Sequence, residues 1–163
     1  MLLQNKPRLE SLMLTSWIED PEKFKHVLDI PRVFISNGEW IKIEDLMNCN
    51  GEIIHVEWHS FDEEDIRRYI ENWLSTNNSK VKFLYLEKNF ERRERLNQDI
   101  VLRDIKYSER SGQRYYRSKG IEKPIEIDCQ NGLDIRREDG TLATLVFGTR
   151  SFTFIVSTTF FDS

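Results

Sequence analysis

Four short apolar alternations constrain this chain more than any other feature: Leu12-Met13-Leu14, Val33-Phe34-Ile35, Ile54-His55-Val56 and Leu84-Tyr85-Leu86. Their first residues stand 21, 21 and 30 positions apart. Successive side chains of an extended strand point to opposite faces, so Leu12, Leu14, Val33, Ile35, Ile54, Val56, Leu84 and Leu86 share one face of a sheet. Most of these spacings suit leucine-rich-repeat-like units, in which a strand is followed by a helix or turn before the next strand. Strands joined this way run parallel, with their connections packed on one side.

The connections support that reading. In the first, Asp20 caps a helix with Pro21 at its first position, Phe24, Val27 and Leu28 form an apolar stripe, and Pro31 ends it. The second offers Ile43, Leu46 and Met47 on one face, with Gly51 as the stop. In the third, Ser60 and Glu63 read as a capping box. Ile66, Tyr69, Ile70, Trp73 and Leu74 then recur at helical spacing, which makes one side of that helix apolar. The acids from Asp62 to Asp65 fall in its first turn, where the helix dipole favours negative charge. Capping accounts for every one of them without a ligand.

The other face of the predicted sheet displays Met13, Thr15, Phe34, Ser36, His55, Glu57, Tyr85 and Glu87. This mixed, partly aromatic strip is the candidate protein-binding face, because repeat-like folds use such extended surfaces for recognition. The competing expectation is that other segments of the chain cover it, which the apolar Met13 and Phe34 favour equally.

Beyond residue 88 the pattern weakens. A short polar helix is expected from Phe90 to Leu96, then a loop over 108–120 that Tyr115 and Tyr116 anchor to the body. From Ile125 the sequence turns to short strands separated by turn residues. Asp139-Gly140 marks a hairpin, since Gly permits the positive φ of such turns. Leu133 and Ile135 face inward there, with Leu142, Leu145 and Phe147 as apolar partners, before Phe152, Phe154 and Val156 alternate again. Asp134, Arg136, Arg137 and Asp139 are then a polar strand face and its turn rather than a catalytic cluster. The expected fold class is α/β: leucine-rich-repeat-like strand–helix units over 1–90, then a C-terminal antiparallel β-meander over 121–158, in one domain of 163 residues.

Composition narrows the function classes. A net charge of −4 with no dense basic stretch argues against a nucleic-acid partner. No apolar run is long enough for a membrane span. Cys49 and Cys129 lack metal or redox spacing, as expected of reduced thiols in an intracellular protein, cytoplasmic or nuclear. No Gly-rich phosphate loop and no G-x-S-x-G elbow occurs. A zinc site from Cys49, His55 and His59, or a metal-dependent hydrolase built on His55, His59 and the acids 62–65, stands as a remote alternative. The chain is therefore expected to be non-enzymatic, with no catalytic residue, cofactor or metal.

The order of these pieces carries a resemblance. Asn48-Cys49, the strand IIHVEW, an acidic-start helix ending near Trp73, the strand KVKFLYLE, the hairpin DIRREDGTLAT from Asp134 to Thr144 and the closing FTFIV resemble the nematode F-box-associated region, type 2, across nearly the whole chain. The resemblance implies a substrate-recognition module of a cullin-type (SCF) ubiquitin ligase adaptor, in which an upstream F-box docks on Skp1 and the downstream region binds the protein to be ubiquitinated. The target is an unknown protein, and the Skp1–cullin machinery is a partner only where an F-box lies upstream. No F-box is visible here, and Ser157 stands where the family commonly has Trp. Both departures point to the alternative: a protein-interaction domain with no ligase link, as a fragment or decayed paralogue.

Overall fold

The computed structural model describes residues 8–91, 94–109, 112, 114–118 and 120–156. Four parallel strands appear where the alternations place them: β1 (Ser11–Leu14), β2 (Arg32–Ile35), β3 (Ile53–His59) and β4 (Phe83–Lys88). Leu12, Val33, Ile54 and Leu84 align across them in register, as do Leu14, Ile35, Val56 and Leu86. All eight of these side chains belong to the main core or pack against it. Period-two alternation alone set that face.

The connections run along the same side, but they differ in kind. Between β1 and β2 the expected helix is two short 3₁₀ turns, Pro21–Lys23 and Lys25–Asp29, and Asp20 makes no side-chain cap. Prolines at 21 and 31 leave too little chain for a stable α-helix. Leu28 is buried there, while Phe24 is exposed. Helix α1 (Ile43–Asn48) buries Ile43 and Leu46. Past its end Gly51 donates to the Leu28 carbonyl at 2.9 Å, and a Cβ on it would lie 2.5 Å from that oxygen. Only glycine lets the two segments approach so closely.

Helix α2 (Glu63–Ser75) starts two residues later than the Ser60–Glu63 pattern predicts. Asp62 is its cap: the Asp62 carboxylate accepts from the Asp65 N–H at 2.8 Å, and Asp65 accepts in return from the Asp62 N–H at 3.3 Å. Asp is as good a cap as Ser, and the true box is the same motif shifted along an acidic run. Ser60 instead donates to the Glu39 carbonyl. The stripe of Ile66, Tyr69, Ile70 and Trp73 is buried as its spacing requires.

Residues 1–7 and 157–163, including Ser157, lie outside the described residues, as do 92 and 93 within the expected helix of Phe90–Leu96. The rest of that segment is not helical. A short helix α3 (Gln98–Val101) follows instead, capped by Asn97. The expected loop over 108–120 contains β5 (Ser108–Glu109) and β6 (Tyr115–Ser118).

The C-terminal meander is present as β8 (Leu133–Arg136), β9 (Leu142–Phe147) and β10 (Ser151–Val156), antiparallel in succession. β10 also pairs antiparallel with β4, so both halves share one eight-stranded sheet ordered β1-β2-β3-β4-β10-β9-β8-β5. Gly140 turns the β8–β9 hairpin with φ of +89°. Ala143, Leu145 and Phe147 supply its inner face; Leu142, expected there, has the opposite parity and leaves it. The IEID segment forms β7 (Ile125–Asp128), which pairs with β6 in a separate two-stranded sheet rather than joining the meander.

The leucine-rich-repeat-like description finds no support in this architecture. A solenoid unit touches only its neighbours. Here Phe154 of β10 packs edge-on against Tyr69 and Trp73 of α2, with ring centroids 5.5 and 5.3 Å apart. The parallel series stops after four strands of a mixed sheet, and its connections share neither length nor type. The coarser reading stands: mixed α/β, helices on one face, strands predominating in a large sheet, and a C-terminal antiparallel meander.

Candidate functional site

On the face away from the helices, register brings Met13, Phe34, His55 and Tyr85 into one row across β1 to β4. The His55 ring lies between the rings of Phe34 and Tyr85, with both centroid separations 4.5 Å. One step further along the strands, Glu57 and Glu87 are register partners. Thr15 and Ser36 sit one residue past the ends of β1 and β2, Thr15 exposed and Ser36 half-buried. Six of the eight candidate residues therefore occupy two adjacent rows of the sheet, and the other two flank its rim.

Each acid is tied to the residue two positions before it. His55 Nε2 lies 3.2 Å from Glu57 Oε1, and the Tyr85 hydroxyl donates to Glu87 Oε2 at 2.8 Å. Burial holds the His55 pKa down to about 4 despite the nearby carboxylate. The imidazole is thus neutral at pH 7 and carries its proton on Nε2, facing Glu57. The Glu57 carboxyl is pushed up, by burial first and then by the charge of Glu87. Tyr85 is pushed up to about 12 by burial and by its bond to Glu87.

The strip is half covered. Tyr116 of β6 stacks flat on Phe83, with centroids 5.0 Å apart, and these two form a second small core with Cys129 and Ile155. Ile125 and Ile127 of β7 pack against it, and so does Tyr85. Tyr116 is thus an anchor, as expected, whereas Tyr115 is exposed. Toward β1 the cover ends in a groove of 300 Å³ between the sheet and residues 120–125. Met13, Phe34, Ile53 and His55 line its floor, and Ile121 and Pro124 its wall. Ile53 shares the parity of His55 and was legible in the alternation. Residues 120–125 arrive by a long-range contact that leaves no local mark in the sequence.

At the carboxyl ends of the same strands stand two exposed tryptophans, Trp17 and Trp58, 69% and 41% accessible. Trp58 sits where the β3–β4 register shifts and adopts φ of +53°, a left-handed conformation costly for a bulky residue.

The residues proposed for metal chemistry are otherwise engaged. His59 Nδ1 accepts from the Phe61 N–H at 3.0 Å. Cys49 donates to the Leu46 carbonyl, and burial pushes its thiol up to about 12. Among the described residues, no three His, Cys, Asp or Glu side chains form a group that could hold a metal ion. The charged cluster of the last hairpin is a clasp. Arg137 donates to Asp139, to Thr141 and to the Thr76 carbonyl at the end of α2, and its guanidinium lies 4.7 Å from the Trp73 ring centroid. Asp134 accepts from Thr144 and faces Arg114 at 3.7 Å, while Arg136 donates to the Gly140 carbonyl. No helix of the described residues is long and apolar enough to cross a membrane.

Relatives of this chain occur in Caenorhabditis elegans. Uncharacterized protein F59B2.9 is 25% identical over 122 residues, 75% of this chain and 28% of that protein. Uncharacterized protein F59B2.8 is 26% identical over 144 residues, 80% of this chain and 31% of that protein. The E3 ubiquitin-protein ligase hecw-1 is 23% identical over 108 residues, 66% of this chain and 9% of that protein. The chain thus spans less than a third of the length of these relatives. No solved structure matches it. A family model described as F-box associated matches residues 22–86, from the 3₁₀ turns after β1 into β4. Over that stretch, 65 of its 163 residues, the chain is similar to the F-box associated family, the family its sequence resembles.

Proposed function

We propose that this chain is a non-enzymatic protein-binding module, the substrate-recognition part of an F-box adaptor of an SCF-type ubiquitin ligase. The observation that carries the reading is the family match over β2, β3 and most of β4, the strands that supply Phe34, His55, Glu57 and Tyr85. A rigid sheet holds these side chains in fixed register, and beside them lies an apolar groove open to solvent. Aromatic side chains presented this way are the usual energetic centres of protein interfaces. The relative named as a ubiquitin-protein ligase supports the ubiquitin context. On this reading the chain chooses the target, and other subunits carry out ubiquitin transfer.

Affinity capture with mass spectrometry tests it, comparing this chain with the full gene product. Both forms are expected to recover the same target, and the full product is expected to recover Skp1 and a cullin as well. A full product that recovers the target without either subunit removes the ligase link and leaves the alternative, an interaction domain of another pathway. Failure of both folded forms to retain any protein contradicts the binding reading itself.

A further inference from the structure

The groove and the two acids lie on one face at a fixed separation. Glu57 follows His55, and Glu87 follows Tyr85, by two strand residues, about 7 Å along the sheet. Both carboxylates are half-buried, and among the described residues no Lys or Arg approaches either within ion-pair distance. Side-by-side like charges on neighbouring strands repel one another, and the raised Glu57 pKa reflects that strain in part. Their hydrogen bonds from His55 and Tyr85 satisfy one oxygen each and neutralise no charge. Glu122 and Lys123 at the groove wall carry opposite charges and add no net charge to it. The exposed Trp17 and Trp58 stand at the same end of the strands as the acids, and indole faces attract cations.

We infer that the groove takes an extended basic–apolar peptide segment of the partner. Its apolar side chain sits on Met13, Phe34 and His55, and a Lys or Arg two residues away lies against Glu57 and Glu87. The inference rests on the protein-binding reading and names the class of partner. In an extended peptide, side chains two apart point the same way and repeat about every 7 Å, which matches the separation of groove and acids. The cation relieves the repulsion between the two carboxylates, and the residue between the two anchors points away from the sheet.

An oriented peptide library tests this. Its members carry one fixed Leu with four randomised positions on either side, and they are selected on the purified full chain. Lys and Arg are expected to be enriched about fivefold at two positions from the Leu, the size of a half-exposed ion pair. The E57Q/E87Q double variant is expected to lose that enrichment while still selecting peptides. Phe34→Ala is expected to select none, with circular dichroism confirming that it folds. If Phe34→Ala fails to fold, the E57Q/E87Q comparison still decides. Selection without a basic preference, or with an acidic one, overturns the partner class and leaves the binding reading standing. A basic preference that survives in E57Q/E87Q overturns the assignment to these two acids. A folded chain that selects no peptide while capturing an intact target overturns the extended-segment proposal alone.

Discussion

His55 and Tyr69 show how burial without full compensation becomes measurable. The His55 pKa falls from 6.5 to about 4 in the folded chain. Between those values the unfolded chain binds a proton that the folded chain does not, so stability is intact above pH 6.5 and declines as pH drops toward 4. From pH 7 to pH 5 the decline traceable to His55 is roughly 2 kcal/mol at most. Glu57, whose carboxyl is pushed up by burial and by the charge of Glu87, titrates in the opposite sense and offsets part of that decline. Urea unfolding at both pH values should show a shallower decline in His55→Phe, which keeps the stack between Phe34 and Tyr85; coincident slopes contradict the assignment. Tyr69 presents a different case. Its hydroxyl is buried and has no hydrogen-bond partner among the described residues, and burial raises its pKa. Removing an unsatisfied hydroxyl while keeping the ring against Phe154 is neutral or stabilising by up to about 1 kcal/mol. Tyr69→Phe should therefore leave Tm unchanged or raised, and a drop worth more than about 1 kcal/mol contradicts the account.

At the scale of elements, Arg137 joins the last hairpin to the end of α2. Its side chain is only 12% accessible and bonds to Thr76, Asp139 and Thr141 above the Trp73 ring. Arg137→Ala should cost about 2 kcal/mol in urea unfolding. Arg137→Lys should recover little, because an ammonium cannot span three partners in one plane; full rescue by Lys contradicts the clasp. Tyr116 fastens the β6–β7 hairpin by its stack on Phe83. Tyr116→Ser should therefore speed amide exchange over 115–128 while the eight-stranded sheet keeps its protection, and uniform acceleration contradicts a separable cover. Local pattern revealed α2, all four parallel strands and the inward side of β10, because each depends on neighbours a few residues away. It missed the α2 cap by two positions, since several acids in a row can each serve. It also misplaced β7, whose pairing with β6 is fixed by the Tyr116 contact and not by its own alternation.

For the whole molecule, the antiparallel pairing of β10 with β4 decides the architecture. Repeat spacing suggested a solenoid because each early strand looks alike. The strand that ends the series arrives from residues 151–156, and no spacing within the first ninety residues announces it. The candidate face was legible as a parity. Its partial cover was not, because the covering hairpin comes from a segment whose sequence reads as a loop. Among the described residues, the stripe from Met13 to His55 stays open on that face with Glu57 and Glu87 beside it, and the account holds that the target binds there. The methionines provide a built-in comparison: Met13 lies in the groove, while Met47 packs against the core on the helix side. Spectra of the chain labelled with ¹³C at methionine methyls, recorded with and without the captured target, test the claim most directly. The account predicts that the Met13 resonance shifts or broadens on binding while Met47 stays in place. A perturbed Met47 beside an unchanged Met13 would contradict it.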